Sequence, residues 1–310
     1  MQLKAYSYKA TDETPEHRPA ILLQPVDSHD LEELQSEVDY LTAHATASFV
    51  LVAVPVKRWF DELSPWPAPP VFGKTAFGNG APRTLDLLLK SVIPAVVQAK
   101  PLCDDMQPGQ GRYSVIAVPD TDDRSACSAT VNRSAGSDAA DVEAASSAWH
   151  VILGGYSLAG LFSLWAGTQH TFSAVVGASP SVWFRDWISF AMRTPMRAGA
   201  VYLSLGDRES HTRTPLLATV DDCIHQQLEI IQAQHIPVVL EMNPGNHFQD
   251  NGIRTAKGFV WAMEPHPRAL KRAAPSPKWG GSYNSPTPRF ARLPPPPEGR
   301  ANYNWWLKGS

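Results

Sequence analysis

The sequence predicts an α/β protein, a mostly parallel twisted sheet with helices on both faces. Three observations carry that reading: short apolar, β-rich runs recur along the chain, stretches of helical spacing fill the gaps, and 43% of the 310 residues are hydrophobic. The runs are Ala20 to Leu23, Phe49 to Val54, His150 to Leu153, Ala174 to Gly177, Val201 to Leu205 and Val238 to Met242. Their near-continuous apolar character suits parallel strands covered on both faces. Met1 to Lys9 predicts a leading strand at the sheet edge. Leu31, Leu34, Val38 and Leu41 follow helical spacing behind Asp30, whose D-x-x-E arrangement with Glu33 resembles a capping box. Leu217, Val220, Ile224, Leu228 and Ile231 mark a second amphipathic helix.

A chain of this length outgrows a single small core, so one large domain with appendages or two modest domains are the choices. Composition favours the first. From Glu264 to Ser310, ten prolines fall in 47 residues, with eight Lys or Arg against two Glu; this segment carries +6 and leaves −9 for the rest. Such a stretch buries too little apolar surface to offset its chain entropy and reads as a disordered or polyproline II tail. A polyproline ligand for a protein partner's aromatic groove is the sharper alternative. Thr121 to Ser147 holds seven alanines and six serines without an aromatic and reads as a flexible insert. The expected layout is a folded domain over residues 1–263, interrupted by this insert, and a tail over 264–310.

Lys+Arg 27 against Asp+Glu 30 gives a net charge of −3, which predicts no nucleic-acid partner and no polybasic membrane contact. No apolar run approaches the ~18 residues of a membrane span, and Met1 to Glu13 lacks an apolar signal core, so the expected location is cytoplasmic. Cys103, Cys127 and Cys223 form no C-x-x-C pair and read as free thiols. Gly73-Lys74-Thr75 matches the end of a phosphate loop, but Ala68 stands where its leading glycine belongs, which argues against nucleotide binding.

The chemistry concentrates at Gly154-Gly155-Tyr156-Ser157-Leu158-Ala159-Gly160, which joins a buried strand directly to a helix. A serine on so sharp a strand-to-helix turn needs small neighbours at −2 and +2, here Gly155 and Ala159, and its Oγ then stands above the sheet. The Leu158 N–H, opening the helix, points where an oxyanion would develop. A serine that merely caps the helix is the plainer alternative.

A nucleophilic serine needs a base, and this context predicts an acid after a later strand and a histidine after the last. Val201 to Leu205 runs into Gly206-Asp207-Arg208-Glu209, and Val238 to Met242 into Asn243-Pro244-Gly245-Asn246-His247-Phe248. His247 is the candidate base. Glu209 is the first choice of acid because its offset lets the loop carry the carboxylate to the imidazole, with Asp207 the alternative.

These blocks, with Ser179-Pro180-Ser181-Val182-Trp183-Phe184, resemble the α/β-hydrolase esterases of the esterase D and enterochelin-esterase-like group over residues 18–263, the insert excepted. The resemblance implies an α/β-hydrolase fold and a serine esterase that needs no cofactor or metal, acts on a small-molecule ester, and has Ser157 and His247 at its catalytic positions. Two features depart from the pattern. Ala159 replaces the second elbow glycine, and the first core strand runs into Gln24-Pro25-Val26-Asp27 in place of an H-G-G-type loop. Pro25 has no N–H, so the Val26 region is the candidate second oxyanion donor.

Ligands bind beyond the carboxyl ends of parallel strands, which places two loops over Ser157. They carry Trp59, Trp66, Trp183 and Trp187, with Trp66 and Trp183 the better candidates to contact substrate. The insert and the tail are expected at the opposite rim. Acyl transfer or peptide hydrolysis on the same triad, and a catalytically silent scaffold that recruits partners through its tail, are the rival functions.

Overall fold

The computed structural model describes residues 1–11, 18–27, 34–71, 73–102, 105–118 and 149–266. Eight strands form one sheet: β1 (Gln2–Tyr8), β2 (Ala20–Asp27), β3 (Phe49–Val56), β4 (Gly111–Ala117), β5 (His150–Tyr156), β6 (Ala174–Ala178), β7 (Val201–Gly206) and β8 (Val238–Asn243). Their order is β4-β1-β3-β2-β5-β6-β7-β8. From β3 to β8 every pairing is parallel, and β1 is antiparallel to both its neighbours. All six expected core strands are present. The central ones are buried nearly end to end, as the apolar runs require.

The leading strand exists but is not the edge. β4 pairs outside it, from Gln2↔Ala117 to Tyr8↔Gly111. Its sequence, Gly-Arg-Tyr-Ser-Val-Ile-Ala, is half polar and largely exposed, so it lacks the apolar run that marks the buried strands. β4 also sets where the chain attaches on either side of the Ala/Ser insert. This strand runs parallel to β5 and ends at the carboxyl rim, so the chain leaves at Val118 on the side of Ser157 and re-enters at Trp149 on the other. The insert, the Asp30–Glu33 capping box and the tail beyond 266 lie outside the described residues.

One face of the sheet is covered by α2 (Trp59–Glu62), α3 (Ala81–Leu87), a π turn (Leu88–Val92), α4 (Ile93–Ala99), α5 (Leu158–Gln169), α6 (Trp187–Arg193) and, after the short exposed turn α7 (Pro215–Ala218), α8 (Val220–Gln232). The other is covered by α1 (Gln35–His44) and α9 (Asn251–Met263). The π turn sits just before Pro94, whose ring nitrogen cannot donate to the carbonyl one turn back, so the ladder widens there. The Leu217 to Ile231 pattern spans two helices broken at Thr219. Glu264, pushed to extended backbone by Pro265, ends α9. No helix among the described residues is long and apolar enough to cross a membrane.

Every residue of α5 from Leu158 to Thr168 is buried. A helix apolar all round lies inside a fold. Its N-terminus therefore has little freedom to move, and Ser157 stands at that end.

Candidate active site

Ser157 sits between β5 and α5 at φ 57°, ψ −116°, a conformation that strains a residue with a Cβ by about 1–3 kcal/mol. Three backbone hydrogen bonds hold it there. Its N–H donates to the Ala178 carbonyl at 3.0 Å, and its own carbonyl accepts from Ser181 N–H at 3.0 Å and Leu161 N–H at 3.1 Å. The small neighbours are a steric requirement. A Cβ on Gly155 would lie 2.5 Å from the Ala159 Cβ, and one on Gly160 would lie 2.9 Å from the Gly155 carbonyl oxygen. Gly155→Val is accordingly expected to destabilise the fold by about 1–3 kcal/mol and to displace Ser157. Urea unfolding of the variant checks the first effect, and reaction of Ser157 with an active-site phosphonylating probe checks the second.

The structure brings His247 and Glu209 to this serine. His247 Nε2 lies 3.0 Å from Ser157 Oγ, and Nδ1 lies 2.7 Å from Glu209 Oε2. With Nδ1 protonated toward the carboxylate, Nε2 presents its lone pair to the serine hydroxyl. The imidazole is partly open to solvent at 28%, while the Glu209 side chain is only 3% exposed. A water-accessible base backed by a dry carboxylate can pass a proton between Ser157 and an incoming group without losing its own orientation.

Glu209 is ionised despite its burial. Desolvation pushes its carboxyl up, but the hydrogen bond and electrostatic attraction from His247, with bonds from Ser179 Oγ and Gly206 N–H, together hold it below the usual carboxylate range. Both donors reach Oε1 at 2.7 Å, and Arg254 Nη1 reaches the same oxygen at 3.0 Å. Asp207 is not at the imidazole. Its Oδ1 accepts from Gly245 N–H at 2.8 Å and faces Arg208 Nε at 3.8 Å, with more than half its side chain exposed. It braces the histidine loop, where Gly245 takes φ 107°, a backbone angle that suits glycine.

Three residues of the site lie within the motif blocks but had no role assigned from sequence. Ser181 places Oγ 3.4 Å from Ser157 Oγ. Ser179, at φ 42°, turns the chain after β6 so that its own hydroxyl reaches Glu209. Tyr156 donates its hydroxyl to the His247 carbonyl at 2.8 Å. Burial first, and the Glu209 charge second, push the Tyr156 phenol above its ordinary value, so it remains a donor. The small polar residues of Ser179-Pro180-Ser181 were visible, but their geometry depends on β6 lying beside β5.

The remaining expected site residues fall as follows. Leu158 opens α5, so its N–H has no intrahelical carbonyl to reach. Val26 is the buried penultimate residue of β2, past Leu23↔Leu153, where β2 stops pairing with β5 while continuing along β3. Trp66 is built into the loop packing: its indole N–H donates to the Arg185 carbonyl at 2.9 Å and its ring packs on Phe184, Trp187 and Phe190. Trp183, two residues beyond Ser181, packs edge-on to Phe77. Trp187 is fully buried against Gln227 and belongs to the core. Phe248, 58% exposed, stands edge-on to the His247 ring.

Sheet order, the sharp strand-to-helix turn at Ser157, and Glu209 and His247 on the loops after β7 and β8 match an α/β-hydrolase fold. Solved structures share it. The siderophore hydrolase EstA from Aspergillus nidulans superposes with a TM-score of 0.52 at 15% identity, covering 84% of this chain and 94% of that one. EstB from the same organism gives 0.52 at 18% identity over 83% and 87%. An IroE-like serine hydrolase from Shewanella oneidensis gives 0.52 at 11% identity over 84% and 74%. No protein-family model and no curated protein matches the sequence.

Proposed function

We propose that this protein is a serine hydrolase that cleaves a carboxylic ester through Ser157, His247 and Glu209. The continuous chain of contacts from Ser157 Oγ to His247 Nε2 at 3.0 Å, and from Nδ1 to Glu209 Oε2 at 2.7 Å, carries the reading. In this reading Nε2 removes the hydroxyl proton as Oγ attacks the ester carbonyl, and Glu209 keeps the proton on Nδ1 and stabilises the imidazolium that forms. The Leu158 N–H, with the Val26 region, stabilises the oxyanion of the tetrahedral intermediate. Collapse of that intermediate transfers the proton from Nε2 to the leaving alcohol and leaves an acyl-serine. Water, deprotonated by the same imidazole, then releases the acid and restores Ser157. No step calls for a cofactor. Phe248, exposed beside the His247 ring, is a candidate surface for the substrate, as are the half-buried Trp66 and Trp183 on the loops after β3 and β6.

Fluorophosphonate labelling tests the proposal directly. The expected result is one adduct, on the peptide containing Ser157, absent in Ser157→Ala. A panel of aryl, aliphatic and siderophore esters, run beside amides and added acyl acceptors, then assigns the reaction. A folded wild-type protein that takes no label and turns over no ester would overturn the reading.

A further inference from the structure

We propose that Arg254 is a positioning residue for this site, holding Glu209 and the His247 loop as one unit in line with Ser157. The proposal rests on the hydrolase reading above. Arg254 projects from α9, opposite the face that carries α5, and is 1% exposed. Nη1 reaches Glu209 Oε1 at 3.0 Å, Tyr156 Oη at 3.2 Å and Ser179 Oγ at 3.4 Å, and Nη2 donates to the Pro244 carbonyl at 2.9 Å. Those partners lie at the carboxyl ends of β5, β6, β7 and β8, so one planar guanidinium ties together four adjacent strand ends. Three of the four carry or flank the serine, the acid and the histidine.

The geometry explains why a fork is needed. Arg254, Ser179 and Gly206 all donate to Oε1, so the carboxylate cannot rotate and Oε2 is left facing His247 Nδ1. The second arm of the fork holds Pro244, three residues before the base. A lysine could supply the charge but not both arms. Arg254 Nε has no hydrogen-bond partner. A buried cation with an unsatisfied N–H is a poor way to fill space that an apolar side chain could occupy more cheaply, so its contribution is to placement and field. Among the described residues, the other charged or titratable side chain touching the His247–Glu209 pair is Tyr156 from β5; Asp207 acts on the loop through Gly245 N–H, with Arg208 beside it on the solvent side.

Removing the cation leaves the pair's negative charge uncompensated, so the pair binds a proton more tightly. Arg254→Met should therefore lower kcat on the order of 10²-fold with KM nearly unchanged. The acid limb of kcat/KM should move upward by about one pH unit or more. Arg254→Lys should restore the acid limb while kcat stays low, separating charge from position. In a Glu209→Gln background, Arg254→Met should cost little more, because it acts through that carboxylate.

A readout independent of turnover is the downfield proton NMR signal of His247 Nδ1–H, assigned by its loss in His247→Gln. It should be present in the wild type and shifted or broadened in Arg254→Met. Folded Arg254 variants with wild-type kcat, acid limb and proton signal, or full additivity with Glu209→Gln, would overturn the proposal. If Arg254→Met does not fold, Arg254→Lys decides on kcat and the proton signal alone. Should the wild type show no turnover while the signal still depends on Arg254, the positioning role stands and the hydrolase reading falls.

Discussion

Ser157→Ala and His247→Ala are each expected to lower kcat on the order of 10⁶-fold, and the double variant should be no worse, because nucleophile and base act as one unit. Glu209→Gln should cost about 10⁴-fold, for a reason specific to this site. Three donors converge on Oε1, from Ser179 Oγ, Gly206 N–H and Arg254 Nη1. They would seize the amide oxygen of a glutamine and leave its NH₂ pointing at His247 Nδ1. An imidazole facing that donor must carry its own proton on Nε2, which then points a hydrogen at Ser157 Oγ where a lone pair is needed. Asp207→Asn keeps an acceptor for Gly245 N–H and is expected to stay within about tenfold of wild type. Steady-state kinetics on one aryl ester, with circular dichroism to confirm folding, checks the set. Equal losses at positions 207 and 209 would refute the assignment of the acid.

The choice between those two acids shows what a sequence can carry. The Gly206-Asp207-Arg208-Glu209 loop could be read, and so could the order serine, acid, histidine, because both follow from short-range rules about strand ends. Which carboxylate turns inward depends on the Gly206 N–H closing back on Oε1 and on a hydroxyl from a neighbouring strand, contacts made only in the assembled sheet. Arg254 was hidden for the same reason. On α9 its spacing looks like any helix-surface cation, and nothing local announces that four strand ends converge on it. β4 was missed because a half-exposed edge strand needs few apolar residues. Whether Trp66 faces a substrate could not be read either, because aromatic loops above a site have the same composition whether they face the substrate or pack on one another.

Stability should fall as pH rises from about 4.5 to about 8, and Glu37 should account for much of the fall. This residue lies on α1 against α9, 1% exposed, with Gln24 Nε2 donating to its Oε2 at 3.1 Å. Its Oε1 has no partner, and neither does the amide oxygen of Gln24. A proton on the carboxyl supplies the donor that these two acceptors lack. Burial raises the Glu37 carboxyl from 4.5 to about 8, against a small lowering by Gln24. The folded state thus holds this proton more tightly than the unfolded chain. Its contribution is complete below about 4.5 and is lost as pH climbs through 8, which at about 1.36 kcal/mol per pH unit amounts to about 5 kcal/mol. Glu209 works in the opposite sense: its depressed carboxyl adds stability above its ordinary value that is lost as pH falls below it. The two together place the maximum near mildly acidic pH. Glu37→Gln, which keeps the shape and removes the titration, should flatten the decline between pH 5 and 8 while leaving the loss in acid. Urea midpoints measured across that range on both proteins decide it, and a wild-type protein equally stable at pH 5 and pH 8 would mean that Glu37 is solvated or already paired in its ionised form.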